Sequence, residues 1–311
     1  MKQKQMVGGQ AVIEGVMMRR GSRVGIAVRR SPEEILVLQE NFISLAERFP
    51  FFKLPVIRGM LSFIESLVLG VRTLSRSADL ALQQEEVELK GWELPLTVIF
   101  SLALGVAIFI LLPTFLMRLL AGSAPAYYPL FLNLLEGLIR LLIFITYIFL
   151  ISRWGEVERL FSYHGAEHKA VACFEAGQEL TVENVRSFSR RHPRCGTSFI
   201  LIVMLVSILL FSFFGWPSLW QRVVIRLLLL PLVAGLSYEA IRWAGASNSL
   251  LVRLVSAPGL WLQNLTTREP QDDQLEVGIK ALKAVLDSPA EDDIHAEGKD
   301  PAEEHFTAGN A

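Results

Sequence analysis

Long runs of apolar residues constrain the fold of this 311-residue chain more than any other feature. A helix needs roughly 20 mostly apolar residues to cross the hydrocarbon core of a bilayer. Four stretches qualify: Leu94 to Leu120, Pro129 to Ile151, Thr197 to Gly215 and Val223 to Ile241. They predict a mainly α-helical, polytopic membrane protein with about four transmembrane helices and the lipid bilayer as a partner.

Lysine and arginine are distributed unevenly between the connecting segments, and this predicts the orientation of the spans. Thirteen of these residues precede the first stretch and seven lie between Ser152 and Gly196, whereas residues 121–128 hold none. We therefore expect both termini and the long middle loop on the cytoplasmic side. The N-terminus has no apolar run after its lysines, so we expect no cleaved signal peptide.

Composition excludes several classes of function. The net charge of −1 gives no basic surface for a nucleic-acid partner. The two cysteines, Cys173 and Cys195, are too few for a disulfide framework and are predicted to be free thiols in a reducing compartment.

The N-terminal third divides into two segments. Residues 1–50 contain short apolar runs separated by turn sequences such as SPEE, which predicts a β-rich cytoplasmic segment of two or three small strands. Within residues 51–93, the stretch from Leu54 to Val71 is apolar but interrupted by Arg58 and Glu65. That pattern favours an interfacial or re-entrant amphipathic helix, although a further span stays open.

The remaining segments follow from the same patterns. We assign residues 94–151 to transmembrane helices 1 and 2, 152–196 to a cytoplasmic loop, 197–241 to transmembrane helices 3 and 4, 242–286 to a membrane-proximal segment ending in a helix, and 287–311 to an acidic, disordered tail.

The most specific chemical pattern lies in the middle loop. His164, Glu167 and His168 form H-x-x-E-H, the order found in inverzincin metalloenzymes. On a helix the two imidazoles share one face and could bind one divalent transition metal ion, while Glu167 acts as the general base for water. Zinc is favoured, but iron, manganese and nickel stay open. Surface hydrogen bonding is the alternative role for these histidines.

Three further residues are candidate metal ligands. Glu175 lies seven residues after His168, and helical periodicity puts it on the same face. The sequence RRHPRCGTS adds His192 and Cys195 close to the third span. Cys195 could instead be a small apolar filler of the core.

Other polar residues are candidates by position. Gln10 and Glu14 follow a glycine-rich start without the lysine of a P-loop and could approach the middle loop. Glu136 and Arg140 are four residues apart within the second span and could pair, either to fix helix packing or to carry a solute. Glu239 lies at the cytoplasmic end of the fourth span and could face the middle loop with its candidate metal ligands.

Several motifs together resemble those of a known family. VGGQAVIEGVMMR, HGAEHKAV, HPRCGTSF and PGLWLQNLTTREP are similar, in this order, to hallmark stretches of the bacterial YqhQ-like family, a domain of unknown function. The resemblance implies an integral protein of the bacterial inner membrane, and members are commonly described as predicted metal-dependent enzymes. It also draws attention to Gln263, Thr266, Thr267 and Glu269, which could line the same site or form a polar surface loop.

Two main hypotheses of function follow. The first is a metal-dependent, hydrolase-like enzyme whose site lies at the cytoplasmic face. The second is a non-enzymatic scaffold, assembly factor or regulator with a structural metal or none, which binds a protein partner on the cytoplasmic side. A weaker alternative is a carrier of ions or small solutes that uses Glu136 and Arg140. The substrate and the oligomeric state stay open.

Overall fold

A computed structural model describes residues 7–82, 92–121, 129–215, 217–245 and 250–286. Four strands come first: β1 Val7–Val12, β2 Gly15–Arg20, β3 Arg23–Arg29 and β4 Ile35–Asn41. Eleven α-helices are described after them: α1 Leu45–Arg48, α2 Ile57–Leu82, α3 Glu93–Val106, α4 Leu112–Ala121, α5 Pro129–Ile151, α6 Gly155–Glu175, α7 Val182–Arg186, α8 Gly196–Ser212, α9 Leu219–Gly245, α10 Leu250–Thr266 and α11 Asp272–Leu286. A 3₁₀ turn, Pro50–Lys53, precedes α2, and a π-helical turn, Ala107–Leu111, joins α3 to α4.

The strands form one antiparallel sheet in the order β1-β2-β3-β4. The prediction of a small N-terminal sheet is confirmed, with four strands instead of two or three. Side chains of β2 and β3 are buried on both faces of the sheet. Met18 packs with α6 and α11, whereas Met17 packs with Leu69 of α2. Helices on both faces explain why these strands read as nearly continuous apolar runs.

Three described helices are long and apolar enough to cross a membrane: Leu96–Leu120, Pro129–Ile151 and Trp220–Trp243. The remaining predicted span corresponds to α8, which is apolar but only 17 residues long. At 1.5 Å per residue it measures ~26 Å, slightly less than the ~30 Å hydrocarbon core. The mainly helical prediction is confirmed, while the orientation of the helices in a membrane stays a prediction.

The stretch from Leu54 to Val71 lies mostly in α2, a helix of 26 residues. Gly59 meets Gly235 of α9 so closely that a Cβ at Gly59 would lie 2.9 Å from the Cα of Gly235. Large apolar side chains on another side of α2, such as Ile64 and Val68, are exposed. The helix therefore connects α9 to the sheet and leaves an apolar face uncovered.

The segment after α9 differs in one respect from the sequence expectation. PGLWLQNLT is the end of helix α10, although Pro258 interrupts the helical pattern. Gly259 packs against Ser198 of α8, and a Cβ at Gly259 would lie 2.8 Å from its Oγ. Gln263 and Thr266 are therefore held on a helix instead of a polar surface loop. The predicted acidic tail, residues 287–311, lies outside the described residues.

Candidate metal centre

Helix α6 presents the H-x-x-E-H residues beside the sheet. Its buried side, which includes Tyr163, Ala166 and Ala170, packs into the core formed with β2 and α11. His164 and His168, one turn apart, have ring centroids 4.4 Å from each other. The fold therefore places the two imidazoles side by side, as the spacing predicts.

Gly165 allows another part of the chain to cross α6 at this point. A Cβ at Gly165 would collide with the carbonyl oxygen of Arg268 and lie 3.3 Å from Cδ of Pro270. The Arg268 amide donates to the Phe161 carbonyl at 2.9 Å, which fixes the crossing. Glycine has a low helix propensity, but the close approach of Arg268 to α6 requires a residue without a side chain at this position.

Backbone carbonyls orient both histidines. The Nδ1 of His164 lies 2.8 Å from the Thr266 oxygen, and the Nδ1 of His168 lies 2.6 Å from the Arg190 oxygen. A carbonyl oxygen can only accept, so each Nδ1 carries a proton, and Nε2 is the ring atom left to ligate a metal. Carbonyl partners of this kind set the tautomer of histidines that ligate metals through Nε2.

Cys195 completes the group as the N-cap residue of α8, and its Sγ accepts from the Thr197 amide. The Sγ lies 3.4 Å from Nε2 of His164 and 2.8 Å from Oγ1 of Thr197. Within the part of the chain that the structure describes, His164, His168 and Cys195 form one group whose ligand atoms all lie within 4.8 Å of one another.

Glu167 lies beside the trio. Its Oε2 is 3.8 Å from the Nε2 of both His164 and His168. Burial raises the pKa of Glu167 to about 7, although the neighbouring His164 and a backbone hydrogen bond from Gly9 act in the opposite direction. Gly9 also lies close to the side chain, since a Cβ there would be 3.0 Å from Cγ of Glu167. Strand β1 therefore forms part of the wall around this carboxylate.

Glu175 and His192, two predicted ligands, contact each other beside the trio, and the ring centroid of His192 lies 5.8 Å from that of His168. The Nε2 of His192 lies 3.3 Å from Oε2 of Glu175, and Glu175 also pairs with Arg194. The Nδ1 of His192 accepts from the Arg194 amide at 3.4 Å, so both ring nitrogens have partners. Burial, and secondarily the nearby His168, lower the pKa of His192 to about 4, which keeps this ring neutral.

The end of α10 holds the loop that carries Cys195. The Gln263 side chain accepts from the His192 amide at 2.8 Å and donates to the His192 carbonyl at 2.9 Å and to Oγ of Ser198 at 3.0 Å. The Thr267 carbonyl accepts from Arg190 at 2.6 Å. Gln263, Thr266 and Thr267 thus surround the centre and position its ligands, mainly through backbone groups.

Two other predicted polar residues, Glu269 and Glu14, form ion pairs outside the trio. Glu269 pairs with the buried Lys169. Glu14 forms an ion pair with Arg159 and accepts from the hydroxyl of Tyr163 at 3.2 Å, joining the β1–β2 turn to α6.

Two candidates join α2 to its neighbours. Gln10 donates to Thr73 of α2 at 2.8 Å. Glu239 accepts from Arg58 at 2.7 Å and from the Val56 amide at 3.2 Å, so it connects α9 to the start of α2. In the structure neither side chain is paired with the middle loop.

Glu136 and Arg140 form a separate network in the apolar helices, far from His164. Their side chains lie 3.4 Å apart. Arg226 also joins this network, with its guanidinium paired to Glu136 and only 4% exposed. Its guanidinium is therefore enclosed among the helices.

The sequence did not predict the backbone groups of the centre, namely the Thr266 and Arg190 carbonyls and the Gly9 amide. Every residue type has these groups, so they cannot be recognised from residue identity. Only the Thr266 carbonyl lies in a stretch that the sequence had singled out, QNLTTREP, and it was singled out for its family motif.

Comparisons with known proteins agree with the resemblance of the motifs. Residues 54–288 match a family described as "Protein of unknown function (DUF1385)". The chain is 34% identical over 302 residues to the "Uncharacterized protein YqhQ" of Bacillus subtilis (strain 168), with 90% of this chain and 92% of that relative covered. No solved structure matches the chain. The family match and the long alignment together show that this chain belongs to the DUF1385 family and is YqhQ-like.

Proposed function

We propose that this protein is a membrane-associated, metal-dependent hydrolase in which His164, His168 and Cys195 bind a zinc ion. One observation carries the proposal: two Nε2 lone pairs and one thiol lie within 4.8 Å of one another, and both histidines are held in the metal-binding tautomer by carbonyls. Imidazole and thiolate donors suit zinc, and three protein ligands with one open position are typical of catalytic zinc sites.

A zinc ion bound there would supply Lewis-acid activation of water and of a substrate carbonyl or phosphoryl oxygen. Glu167 is the residue placed to take a proton, because its carboxylate adjoins both histidines and is sheltered from solvent. The Thr197 hydroxyl adjoins the Cys195 sulfur and can orient it. The backbone contacts of Thr266 and Arg190 keep both rings fixed while a substrate binds.

The surroundings of the centre favour a substrate at a membrane surface. The trio lies where α8 begins, close to the end of α10, and strand β1 covers Glu167. A lipid-linked molecule or a membrane-proximal peptide would reach this junction between apolar helices and the sheet. We propose that the junction faces the cytoplasm, in accordance with the distribution of basic residues.

A structural metal site is the second candidate, and one distance favours it. Oε2 of Glu167 is 3.8 Å from both Nε2 atoms, so a small movement would make this carboxylate a fourth ligand and close the coordination shell. In that case the protein would be a scaffold or regulator whose metal stabilises the fold.

The substitution Glu167→Gln separates the two candidates. The isosteric amide removes the base and retains the shape of the side chain. For an enzyme we expect metal content close to that of the native protein and loss of hydrolysis of ester, phosphoester or peptide reporter substrates. Glu175→Gln is the matched control, because it removes a carboxylate of the same helix that pairs with Arg194 instead.

A variant with Glu167→Gln that loses both its metal and its thermal stability would contradict the enzyme proposal and support the structural site. Native protein that shows no hydrolysis of any reporter substrate, with its zinc bound, would also count against it.

A further inference from the structure

The outer edge of strand β1 lies beside the candidate metal centre. Among the described strands, β1 pairs with β2 alone, at one end of the sheet order. Gly8 and Gly9 of this strand are exposed. A Cβ at Gly9 would lie 3.0 Å from Cγ of Glu167, whereas a Cβ at Gly8 would have nothing within 4 Å of it. An accessible sheet edge therefore adjoins the carboxylate proposed as the base.

The register of the β1–β2 hairpin determines which backbone groups of β1 point outward. Val12 pairs with Gly15 across a loop of two residues. The pair that flanks such a loop exchanges backbone hydrogen bonds, and bonded and non-bonded pairs alternate from there along the ladder. Every second residue of β1 therefore turns its N–H and C=O away from β2. These residues are Val7, Gly9 and Ala11.

Two contacts outside the sheet agree with this alternation. The Gly9 amide forms a hydrogen bond with the carboxylate of Glu167. The Ile13 amide, two positions beyond Ala11, donates to Oγ of Ser77 in α2 at 3.1 Å. Within the described part of the chain, the Gly9 carbonyl and both backbone groups of Ala11 have no hydrogen-bond partner. The edge thus offers unpaired donors and acceptors next to Glu167.

Unpaired groups of this kind are complementary to the backbone of an extended peptide. A chain that adds to a sheet edge satisfies the alternating donors and acceptors whatever side chains it carries. A lipid headgroup has no repeating row of amides that could do the same. Neighbouring strands lie ~4.8 Å apart, so a peptide paired with β1 at Gly9 would pass close to Glu167.

We propose that the substrate is an extended peptide segment, which adds to the outer edge of β1 as a further strand and is cleaved beside Gly9. The inference rests on the proposed hydrolase, because it names the substrate class of the same centre. Backbone pairing on β1 supplies the affinity and aligns one peptide bond of the substrate with the base.

The cleavage balances without a further reactant. The oxygen of a water molecule bonds to the peptide carbonyl carbon, and the C–N bond breaks. Glu167 takes a proton from the water and passes it to the leaving nitrogen, so the products are a carboxylic acid and an amine. Glu167 is placed for this role because its Oε2 lies 3.8 Å from both Nε2 atoms and its Cγ lies beside the edge at Gly9.

The first measurement separates the substrate class from the hydrolase proposal. A library of short, unstructured, fluorescein-labelled peptides is added to the zinc-loaded full chain in neutral detergent, with ester and phosphodiester reporters in parallel. Binding is measured by fluorescence polarisation on the variant Glu167→Gln, and cleavage by the native protein is measured by mass spectrometry. We expect peptides that bind the variant and are cleaved by the native protein.

The two proposals fail in different ways in this measurement. Hydrolysis of an ester or phosphodiester that depends on Glu167, without binding or cleavage of any peptide, would overturn the peptide inference and support the hydrolase. Peptides that bind at the edge of β1 but are never cleaved would contradict the hydrolase and support the docking on β1.

A second measurement tests the strand itself without changing the protein. In the tightest-binding peptide, one backbone amide at a time is N-methylated, which removes a donor and obstructs pairing on that side. Amides that point toward β1 should lose affinity about fivefold or more, and the amides between them less than about twofold. A loss without this period of two, or no loss at any position, would overturn the proposal.

Ala11→Pro tests the same edge from the protein side. Proline removes the outward N–H, and an edge strand tolerates it where that group is not part of the ladder. Peptide affinity should fall about tenfold or more, while zinc content by elemental mass spectrometry stays as in the native protein. A thermal melt checks that the variant is folded, and the N-methylated peptides decide the question if it is not.

Val37→Pro is the matched control on the opposite edge of the sheet. The Phe42 amide donates to the Ser22 carbonyl at 2.6 Å, and from this bonded pair the alternation along β3 and β4 turns the backbone of Val37 outward. Val37 is exposed and lies three strand spacings, ~14 Å, from β1. Its replacement should change peptide affinity by less than about twofold, and equal weakening by Ala11→Pro and Val37→Pro would overturn the proposal.

Discussion

Replacing Gly165 by alanine tests the crossing that builds the candidate centre. In a free helix this change stabilises by ~1 kcal/mol, because alanine has the higher helix propensity. Here the new Cβ would collide with the Arg268 carbonyl oxygen and lie 3.4 Å from the carbonyl carbon. Overpacking of this kind costs ~1–3 kcal/mol.

The upper part of that range applies because the crossing segment is held on both sides. The Arg268 amide is bound to Phe161, and its guanidinium donates to the carbonyls of Asn264 and Ser152, each at 3.1 Å. Subtracting the gain in propensity leaves a net loss of ~2 kcal/mol. At roughly 2–4 °C per kcal/mol, the melting temperature should fall by ~4–8 °C.

Metal affinity should fall as well, because moving Arg268 also moves the Thr266 carbonyl that orients His164. Loss of such an outer contact typically weakens metal binding by ~10–100-fold. The assays are a thermal melt in detergent and a competition with a zinc chelator.

Gly155→Ala is the control, since Gly155 begins the same helix and a Cβ added there would have nothing within 4 Å of it. Its melting temperature should be unchanged or slightly higher. Equal stability and equal zinc affinity of the two variants would refute the argument that the crossing at Gly165 determines the geometry of His164.

Three further predictions concern the centre and the membrane. Gln263→Leu leaves the buried backbone amide and carbonyl of His192 without their partner, so the free energy of unfolding should fall by ~1–3 kcal/mol. A variant as stable as the native protein in a thermal melt would contradict this prediction. Removing zinc with a chelator should lower the melting temperature, because an ion present at 100 times its Kd adds ~2.7 kcal/mol to the free energy of unfolding. An unchanged melting temperature would exclude a tightly bound ion. Alkaline phosphatase fused after Gly122 should be active and the same enzyme fused after Ala311 inactive, and the reverse result would invert the proposed orientation.

Much of the fold could be predicted because its signals are local. Hydropathy indicates the apolar helices, and apolar spacing indicates α11, where Leu275 and Leu282 are fully buried. Thr181 has the residue type of a helix start, and it is the N-cap residue of α7 that accepts from the Asn184 amide. Helix α10 was not predicted as a helix, because Pro258 interrupts the pattern and only packing of Gly259 on α8 compensates for it.

The candidate site was only partly predictable because its completion depends on contacts between distant segments. The spacing of His164 and His168 is local, and the structure places their rings together. Glu175 lies at the end of α6, where it pairs with Arg194, so helical periodicity alone could not indicate its orientation. Cys195 joins the histidines only because the end of α10 holds the loop before α8, which no local pattern shows.

The central claim is that His164, His168 and Cys195 hold one metal ion. Its most direct test is elemental mass spectrometry of the detergent-purified protein, after reconstitution with zinc, beside the variants His164→Ala/His168→Ala, Cys195→Ser and His192→Ala. We predict about one zinc ion per chain in the native protein and in His192→Ala, none in the double variant, and a strongly reduced content in Cys195→Ser. A native protein without zinc or another transition metal after reconstitution, or a double variant that retains its metal, would contradict the account.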